Sequence, residues 1–87
     1  MKAHFLKLFR KHYHKRIELN SSLDKRFEEQ YLLFLQNPTD PILKNHELKG
    51  DKLGMRSFSI TGDIRVVYYI LDYTAYFVDI GTHNQVY

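Results

Sequence analysis

The chain has 87 residues, which is enough for one hydrophobic core and too few for two, so we expect one domain over residues 1–87. Hydrophobic residues make up 44% of the sequence and aromatic residues, all Phe or Tyr, 15%, which is typical of a folded chain. The absence of cysteine excludes disulfide frameworks and thiolate metal sites. No apolar run approaches the roughly 18 to 20 residues of a membrane helix. We therefore expect a soluble cytoplasmic protein.

The formal net charge of +3 is unevenly distributed along the chain. Residues 1–17 contain six Lys or Arg residues and no acidic residue, whereas the remaining 70 residues contain seven basic and ten acidic residues. A concentrated basic surface attracts polyanions, and nucleic acid is the commonest candidate. A solvated helix face explains the same pattern equally well, so the charge alone leaves both interpretations open.

Two helices are predicted in the first half of the chain. Apolar residues recur there every three or four positions with basic residues between them, at Phe5 or Leu6, Phe9, Tyr13 and Ile17. This spacing predicts an amphipathic helix, with room for a short opening strand over residues 2–5. A second helix is predicted to begin near Ser21, which with Asp24 resembles a capping box. It should end at Asn37, because the residue before Pro38 resists the helical conformation.

The second half of the chain is predicted to be a sheet. Residues 37–54 contain two prolines and two glycines, which predict a long irregular connection of the kind that often carries function. Alternating residues then predict strands over residues 56–60, 64–71 and 74–80 with short turns between them. The expected class is therefore α+β, with two N-terminal helices packed on a twisted antiparallel sheet of three to four strands.

Two kinds of polar group stand out in the predicted sheet and loops. Asp63 and Arg65 share one face near the start of the middle strand because side chains alternate along it, although turn chemistry at Asp63 or a salt bridge would explain the pair without a function. His46 in the long connection and His83 after Gly81 lie outside any regular apolar pattern. They are candidate proton-transfer groups, because histidine is the side chain that ordinarily titrates near neutral pH.

The remaining histidines, at positions 4, 12 and 14, lie on or before the basic helix and are most simply solvated. His46, Asp63 and His83 could in principle form a metal site of two histidines and one carboxylate, but no spacing selects that arrangement. The sequence has no serine-nucleophile elbow, phosphate-binding glycine loop or zinc motif. We therefore expect neither a metal nor a cofactor.

Three segments, taken in order, resemble a known family: residues 45–50 (NHELKG), 54–68 (GMRSFSITGDIRVVY) and 79–87 (DIGTHNQVY). Each is a weak signal alone, but their order and intervals are similar to the RelE/ParE superfamily of bacterial toxin–antitoxin toxins, and within it to the YafQ-like mRNA interferases. The resemblance spans nearly the whole chain. It implies the RelE-like fold and a toxin that cleaves mRNA, usually in the ribosomal decoding site.

The resemblance also implies partners. A cognate antitoxin protein should hold the toxin silent, and the toxin–antitoxin complex should bind operator DNA through the antitoxin. From the charge pattern we expect a partly disordered acidic antitoxin segment that wraps the small domain and folds on binding.

The motif positions that the resemblance carries over are His46, Asp63, Arg65, His83 and Tyr87. Such a set suits metal-independent cleavage, in which a base removes the 2′-hydroxyl proton, the oxygen attacks the adjacent phosphorus and an acid protonates the leaving 5′-oxygen. We expect His83 to be the general acid and His46 or Asp63 the general base. Arg65 should clamp the phosphate, because a guanidinium binds it bidentately.

Three further residues complete the expected substrate-binding set. Tyr87 is expected to stack against a base of the RNA. Lys49 and Arg56 are expected to add phosphate contacts, on their position and charge alone.

Three positions depart from the family pattern, because some YafQ-like members carry a histidine at Ser59, an aromatic residue at Ile64 and a basic residue at Asp79. A missing cation at Asp79 is expected to weaken stabilisation of the transition state. Two other functions remain open: a ParE-like poison of DNA gyrase, and a catalytically weak relative that only binds antitoxin or nucleic acid. The presence of His46, Asp63 and His83 together favours the nuclease.

Overall fold

The computed structural model describes residues 1–87 as a sheet with helical elements on both of its faces. The strands are β1 (Lys2–Phe5), β2 (His46–Glu47), β3 (Arg56–Ser59), β4 (Ile64–Leu71) and β5 (Thr74–Thr82). The α-helices are α1 (Lys7–Tyr13), α2 (Ser21–Gln36) and α3 (His83–Val86), and α1 continues as a π-helical turn over His14–Glu18. Single 3₁₀ turns occupy Pro41–Leu43 and Gly50–Lys52. No helix is long and apolar enough to span a membrane.

The sheet is mixed, with strand order β1-β5-β4-β3-β2, so the prediction of an antiparallel sheet of three to four strands is wrong in strand number and in one pairing. β1 runs parallel to β5, and the other neighbours are antiparallel. The predicted opening strand over residues 2–5 is present, but the alternation of a four-residue strand does not encode its partner or direction. The two-residue β2 lies inside the connection that was predicted to be irregular.

The helical prediction also needs correction. Two N-terminal helical segments are present, but the first changes from α to π geometry at His14. The short helix α3 at the C-terminus was not predicted. The α2 helix is capped by Asn20 rather than Ser21, because the Asn20 side-chain oxygen accepts hydrogen bonds from the Ser22 and Leu23 amides at 3.1 Å each.

Replacing Asn20 with alanine is expected to lower the free energy of unfolding by about 1 kcal/mol, because two amides of the first turn lose their acceptor. Chemical denaturation would measure this change. Ser21→Ala is the matched control, since the Ser21 side chain makes no capping hydrogen bond. Equal losses in the two variants would contradict the assignment of the cap.

The two faces of the sheet have different roles. The helix face, which packs against α1 and α2, carries the main core, including Phe58, Val66 and Phe77. The outer face carries the residues that alternate with these along the strands. There Val67 packs with Leu48 and Val86 in a second, smaller cluster. This cluster fixes α3 and the segment before β3 against the outer face, and it builds the walls of the site described next.

Candidate active site

A cleft of about 430 Å³ opens on the outer face between α3 and the 3₁₀ turn at residues 50–52. Its lining residues are Leu48, Lys49, Asp51, Lys52, His83 and Tyr87. Leu48 on one wall and Val86 beside the other both pack on Val67 of β4. The two walls are therefore anchored to the same strand, and the polar side chains lie above a rigid apolar base.

His83 and Tyr87 owe their positions to the start of α3. The Thr82 hydroxyl accepts a hydrogen bond from the Gln85 amide at 3.3 Å, and the Gln85 side chain accepts one from the Thr82 amide at 2.8 Å. This reciprocal capping box begins the helix at His83. The His83 and Tyr87 rings then meet edge to face, with centroids 4.5 Å apart. Both residues are exposed, so an imidazole and an aromatic ring border the cleft side by side.

The opposite wall supplies positive charge. Lys49 caps the 3₁₀ turn, and Asp51 and Lys52 lie within it, so this wall carries a net charge of about +1. The turn is possible because Gly50 adopts a φ of +68°, which favours glycine. An ammonium group contacts a phosphate as a point charge. Lys49 is predicted from the sequence, but Lys52 and Asp51 are not, because a charged loop carries no periodic signal that separates a site from solvated surface.

His46 and Asp63 lie near the cleft without lining it. His46 pairs with Ser57, which in turn pairs with Val67, so His46 lies on the outer face. Its Nδ1 is 2.9 Å from the Lys44 carbonyl oxygen. Asp63 immediately precedes Ile64, whose β5 partner Thr82 immediately precedes His83. Asp63 and His83 therefore stand at the same end of neighbouring strands.

The two predicted arginines lie on opposite faces. Arg65 pairs with Ser59 and Gly81 on the outer face, and its buried Nε has no hydrogen-bond partner. A buried guanidinium N–H without an acceptor is costly. Arg65 lies on the same face as the cleft but is not one of its lining residues. Arg56 points to the helix face, where its Nε donates to the Asn45 side chain at 3.0 Å. The structure therefore does not bring Arg56 together with the cleft residues.

Asn45 explains the environment of Arg56 further. Its side-chain oxygen also accepts a hydrogen bond from the Tyr68 hydroxyl at 2.9 Å. Burial raises the pKa of Tyr68, and the neighbouring Asn45 and Arg56 partly offset that effect. Arg56 therefore connects β3 to β4 and to the loop that carries Asn45, on the helix face of the sheet.

A network that the sequence analysis missed holds the end of β5. The Asp79 carboxylate lies 2.6 Å from the His12 ring nitrogen and 3.4 Å from an Arg16 nitrogen. Arg16 also donates to the Ile80 carbonyl at 2.9 Å. All three side chains are largely buried, with 14 to 20% of their surface exposed. The helix α1 and its π-helical turn therefore fix the strand that leads to His83.

Gly81 tests the role of this network. A methyl group there would lie 2.5 Å from the Gln85 side-chain oxygen and 2.8 Å from an Arg16 nitrogen. Both are ends of flexible side chains, so Gly81→Ala should still fold, at a cost of roughly 1 to 3 kcal/mol. Displacing Gln85 should open the capping box, and hydrogen exchange at the Gln85 and Tyr87 amides should accelerate. Gly62→Ala is the control, since its added methyl group would meet nothing within 4 Å; unchanged exchange in Gly81→Ala would contradict the assignment.

No group of three or more His, Asp or Glu side chains lies close enough together to hold a metal ion.

Solved structures with the same fold are bacterial toxins. A copper-bound mutant toxin from Helicobacter pylori is 27% identical to this chain with a TM-score of 0.80, and the alignment covers 100% of this chain and 99% of that one. YafQ from E. coli strain BL21(DE3) is 19% identical with a TM-score of 0.77, and 99% and 97% are covered. The YafQ-containing chain of the E. coli DinJ–YafQ toxin–antitoxin complex is 19% identical with a TM-score of 0.74, and 99% and 96% are covered. The chain therefore shares its fold with these toxins.

The family follows from the sequence as a whole. The family described as "Bacterial toxin of type II toxin-antitoxin system, YafQ" matches residues 1–87. The chain belongs to this YafQ family of toxins, which confirms the resemblance drawn from the three segments. The comparison with curated proteins gives no match.

Proposed function

We propose that this toxin is an endoribonuclease that cleaves mRNA on the ribosome by attack of a 2′-hydroxyl on the adjacent phosphorus. The observation that carries the proposal is the cleft, which is lined by the exposed His83 together with Lys49 and Lys52. Cleavage of a phosphodiester is promoted by this combination of a proton-transfer group and nearby cations. The YafQ family membership of the whole chain supports the same reaction class.

Substrate binding divides between the two walls. Lys49 and Lys52 attract the phosphate and offset the charge that develops on its oxygens during the reaction. The Tyr87 ring, already edge to face with His83, offers its surface to a neighbouring base. Arg65, on the same face of the sheet, clamps a phosphate oxygen, because a guanidinium binds phosphate bidentately.

Proton transfer is assigned to the two groups at the β4–β5 end. His83 donates a proton to the leaving 5′-oxygen, and Asp63 removes the proton of the 2′-hydroxyl. We favour Asp63 over His46 as the base, because the register places Asp63 beside the strand end that carries His83. His46 lies two strands away from β4, a separation of about 10 Å. Both proton-transfer groups of the proposed mechanism are then at one edge of the cleft.

The proposed partners follow from the same assignment. The E. coli YafQ structure with DinJ is a toxin–antitoxin complex, and we propose that a cognate antitoxin silences this chain in the same general way. We propose that the toxin binds mRNA in the ribosomal decoding site. We also propose that the toxin–antitoxin complex binds operator DNA through the antitoxin.

The test is to induce the chain in bacterial cells without an antitoxin and to map the 5′ ends of transcripts. We expect new ends inside coding sequences soon after induction, and no new ends when His83 is replaced by glutamine. Intact transcripts in growth-arrested cells would overturn the nuclease and would favour a gyrase poison instead.

A further inference from the structure

Three aromatic side chains cross the outer face of the sheet beyond the cleft. The register of β1, β5 and β4 places His4 beside Tyr76 and Tyr76 beside Tyr69. Tyr69 follows Tyr68 of the main core and Tyr76 precedes Phe77 of the same core, so both tyrosines point to the outer face. These three side chains, His4, Tyr76 and Tyr69, form the aromatic row. The proposed mechanism uses none of them.

The stacking of the rings leaves one face of Tyr69 free of other rings. The Tyr69 and Tyr76 rings are nearly parallel, with centroids 5.1 Å apart and an interplanar angle of 15°, so each ring covers one face of the other. His4 lies on the far side of Tyr76 in a T-shaped arrangement, with centroids 5.7 Å apart. The second face of Tyr69 is turned away from Tyr76, toward β3.

The aromatic row is continuous with the cleft. The register of β3 and β4, continued by one residue, places Met55 beside Tyr69 on the outer face. The Met55 carbonyl accepts a hydrogen bond from the amide of Leu48 at 2.9 Å, and Leu48 lines the cleft. Tyr69 also lies two residues beyond Val67 of the cleft base, a separation of roughly 7 Å along β4. A strand of RNA that enters the cleft therefore passes close to the free face of Tyr69.

The charge around the aromatic row suits a polyanion. The five strands contain two acidic residues, Glu47 and Asp79. Glu47 lies on the helix face, and Asp79 is held in the network with α1 and its π-helical turn. Lys2 shares the outer face with His4 at one end of the row, and Lys49 lines the cleft at the other end. The row therefore lies between two cations, and no strand residue places a free carboxylate on it.

The tyrosine hydroxyls of the row are also unused within the protein. The tyrosine hydroxyls that make internal hydrogen bonds are those of Tyr13 and Tyr68. Tyr69 and Tyr76 are only partly buried, so their hydroxyls are free to contact a ligand or water.

We propose that the aromatic row is a second base-binding subsite for the RNA strand that enters the cleft, in which a nucleobase stacks on the free face of Tyr69. This inference rests on the proposed function, which supplies single-stranded RNA as the ligand. Proteins bind single strands by stacking successive bases on aromatic side chains, including those displayed on a sheet. Tyr76 and His4 are positioning residues, because they support the Tyr69 ring from the side that the base does not occupy.

The experiment removes the base and the ring separately. A short RNA without the reactive 2′-hydroxyl is made with an abasic nucleotide at each position in turn, and its affinity is measured by fluorescence anisotropy in a His83→Gln background that spares the host cells. We expect one position, besides the one that contacts Tyr87, to lose about 5- to 100-fold in affinity when its base is absent. Tyr69→Leu should bind the intact RNA more weakly by the same factor and should no longer respond to that abasic position.

Two variants serve as controls. Tyr69→Phe keeps the ring and should retain the response to the abasic position. Tyr73→Leu should change the affinity by less than about 2-fold, since Tyr73 is 90% exposed and borders a groove on the helix face. A cross-strand aromatic pair also stabilises a sheet, and a purely structural role would weaken intact and abasic RNA equally. That result would overturn the subsite.

A second measurement does not depend on the folding of Tyr69→Leu. In the chain with Tyr69 in place, NMR should show the Tyr69 ring protons moving upfield when the intact RNA binds, and remaining unmoved with the RNA that lacks the critical base. A Tyr69 ring that responds equally to both RNAs, or to neither, would overturn the proposal. Shifts of Tyr69 and Tyr76 that depend on protein concentration without RNA would identify a second copy of the chain as the occupant and would also overturn it.

Failure of the subsite and failure of the nuclease give different results. If Tyr69→Leu and Tyr73→Leu bind RNA equally while the chain with His83 in place cleaves transcripts, the subsite is overturned and the nuclease stands. If binding depends on Tyr69 and on one base while no transcript is cleaved, the subsite is supported and the nuclease is overturned.

Discussion

Replacing His83 with glutamine is expected to lower the rate of RNA cleavage by about 10²- to 10⁴-fold while the protein keeps its fold. The loss follows because glutamine cannot transfer a proton to the leaving oxygen. The fold should survive because His83 is exposed and its ring contact is with Tyr87. The change in the free energy of unfolding should stay within about 0.5 kcal/mol, as for most surface substitutions.

Single-turnover cleavage of programmed mRNA on purified ribosomes measures this effect most cleanly, because product release does not enter the rate. His14→Gln is the control, since His14 is an exposed histidine on the π-helical turn that pairs with Glu18. We expect it to cleave as the unchanged chain does. Similar rates for the two variants would remove His83 from the reaction.

Replacing Phe77 with alanine is expected to lower the free energy of unfolding by about 3 to 5 kcal/mol. Phe77 is fully buried, and its ring lies within 6.1 Å, centroid to centroid, of six others: Phe5, Phe9, Tyr31, Phe34, Phe58 and Tyr68. It therefore joins β1, both N-terminal helices and the central strands. Because domains are stable by only about 5 to 15 kcal/mol, this one ring supports a large part of the total.

Denaturation in urea would show this loss as a lower midpoint with an unchanged slope, since the surface exposed on unfolding stays nearly the same. Tyr73→Ala is the control because Tyr73 is 90% exposed in the turn between β4 and β5. We expect that variant to lose less than about 0.5 kcal/mol. A loss below about 1 kcal/mol for Phe77→Ala would mean that the aromatic cluster does not organise the core.

Local patterns in the sequence account for much of the fold. The three- and four-residue spacing predicted both N-terminal helical segments, and alternation predicted β3, β4 and β5. The pairing of β1 with β5 was not predictable, because it depends on how the two helices return the chain to the sheet. The change to π geometry at His14 and the contacts of Asp79 with His12 and Arg16 also depend on tertiary structure, which local sequence patterns do not encode. The helix α3 did have a signal, since Thr82 and Gln85 have capping-box spacing.

The candidate site was predictable to a similar extent. The resemblance identified His83 and Tyr87, and position and charge identified Lys49. The structure brings these three residues together in one cleft. Arg56 illustrates a signal that was present and not used: alternation places it on the same strand face as Phe58, which is a core position. Lys52 was not predicted, because hydrophobic periodicity does not show which side chains of an irregular turn point into a cleft.

Chemical-shift mapping by NMR with a short RNA that lacks the reactive 2′-hydroxyl tests most directly whether the cleft holds a phosphodiester. We predict that the His83 ring signals and the amides of Lys49 and Lys52 shift on titration, while those of Phe27 and Tyr31 in α2 do not. Shifts confined to α2 or to the basic residues of α1, with the cleft signals unmoved, would contradict the assignment of the active site.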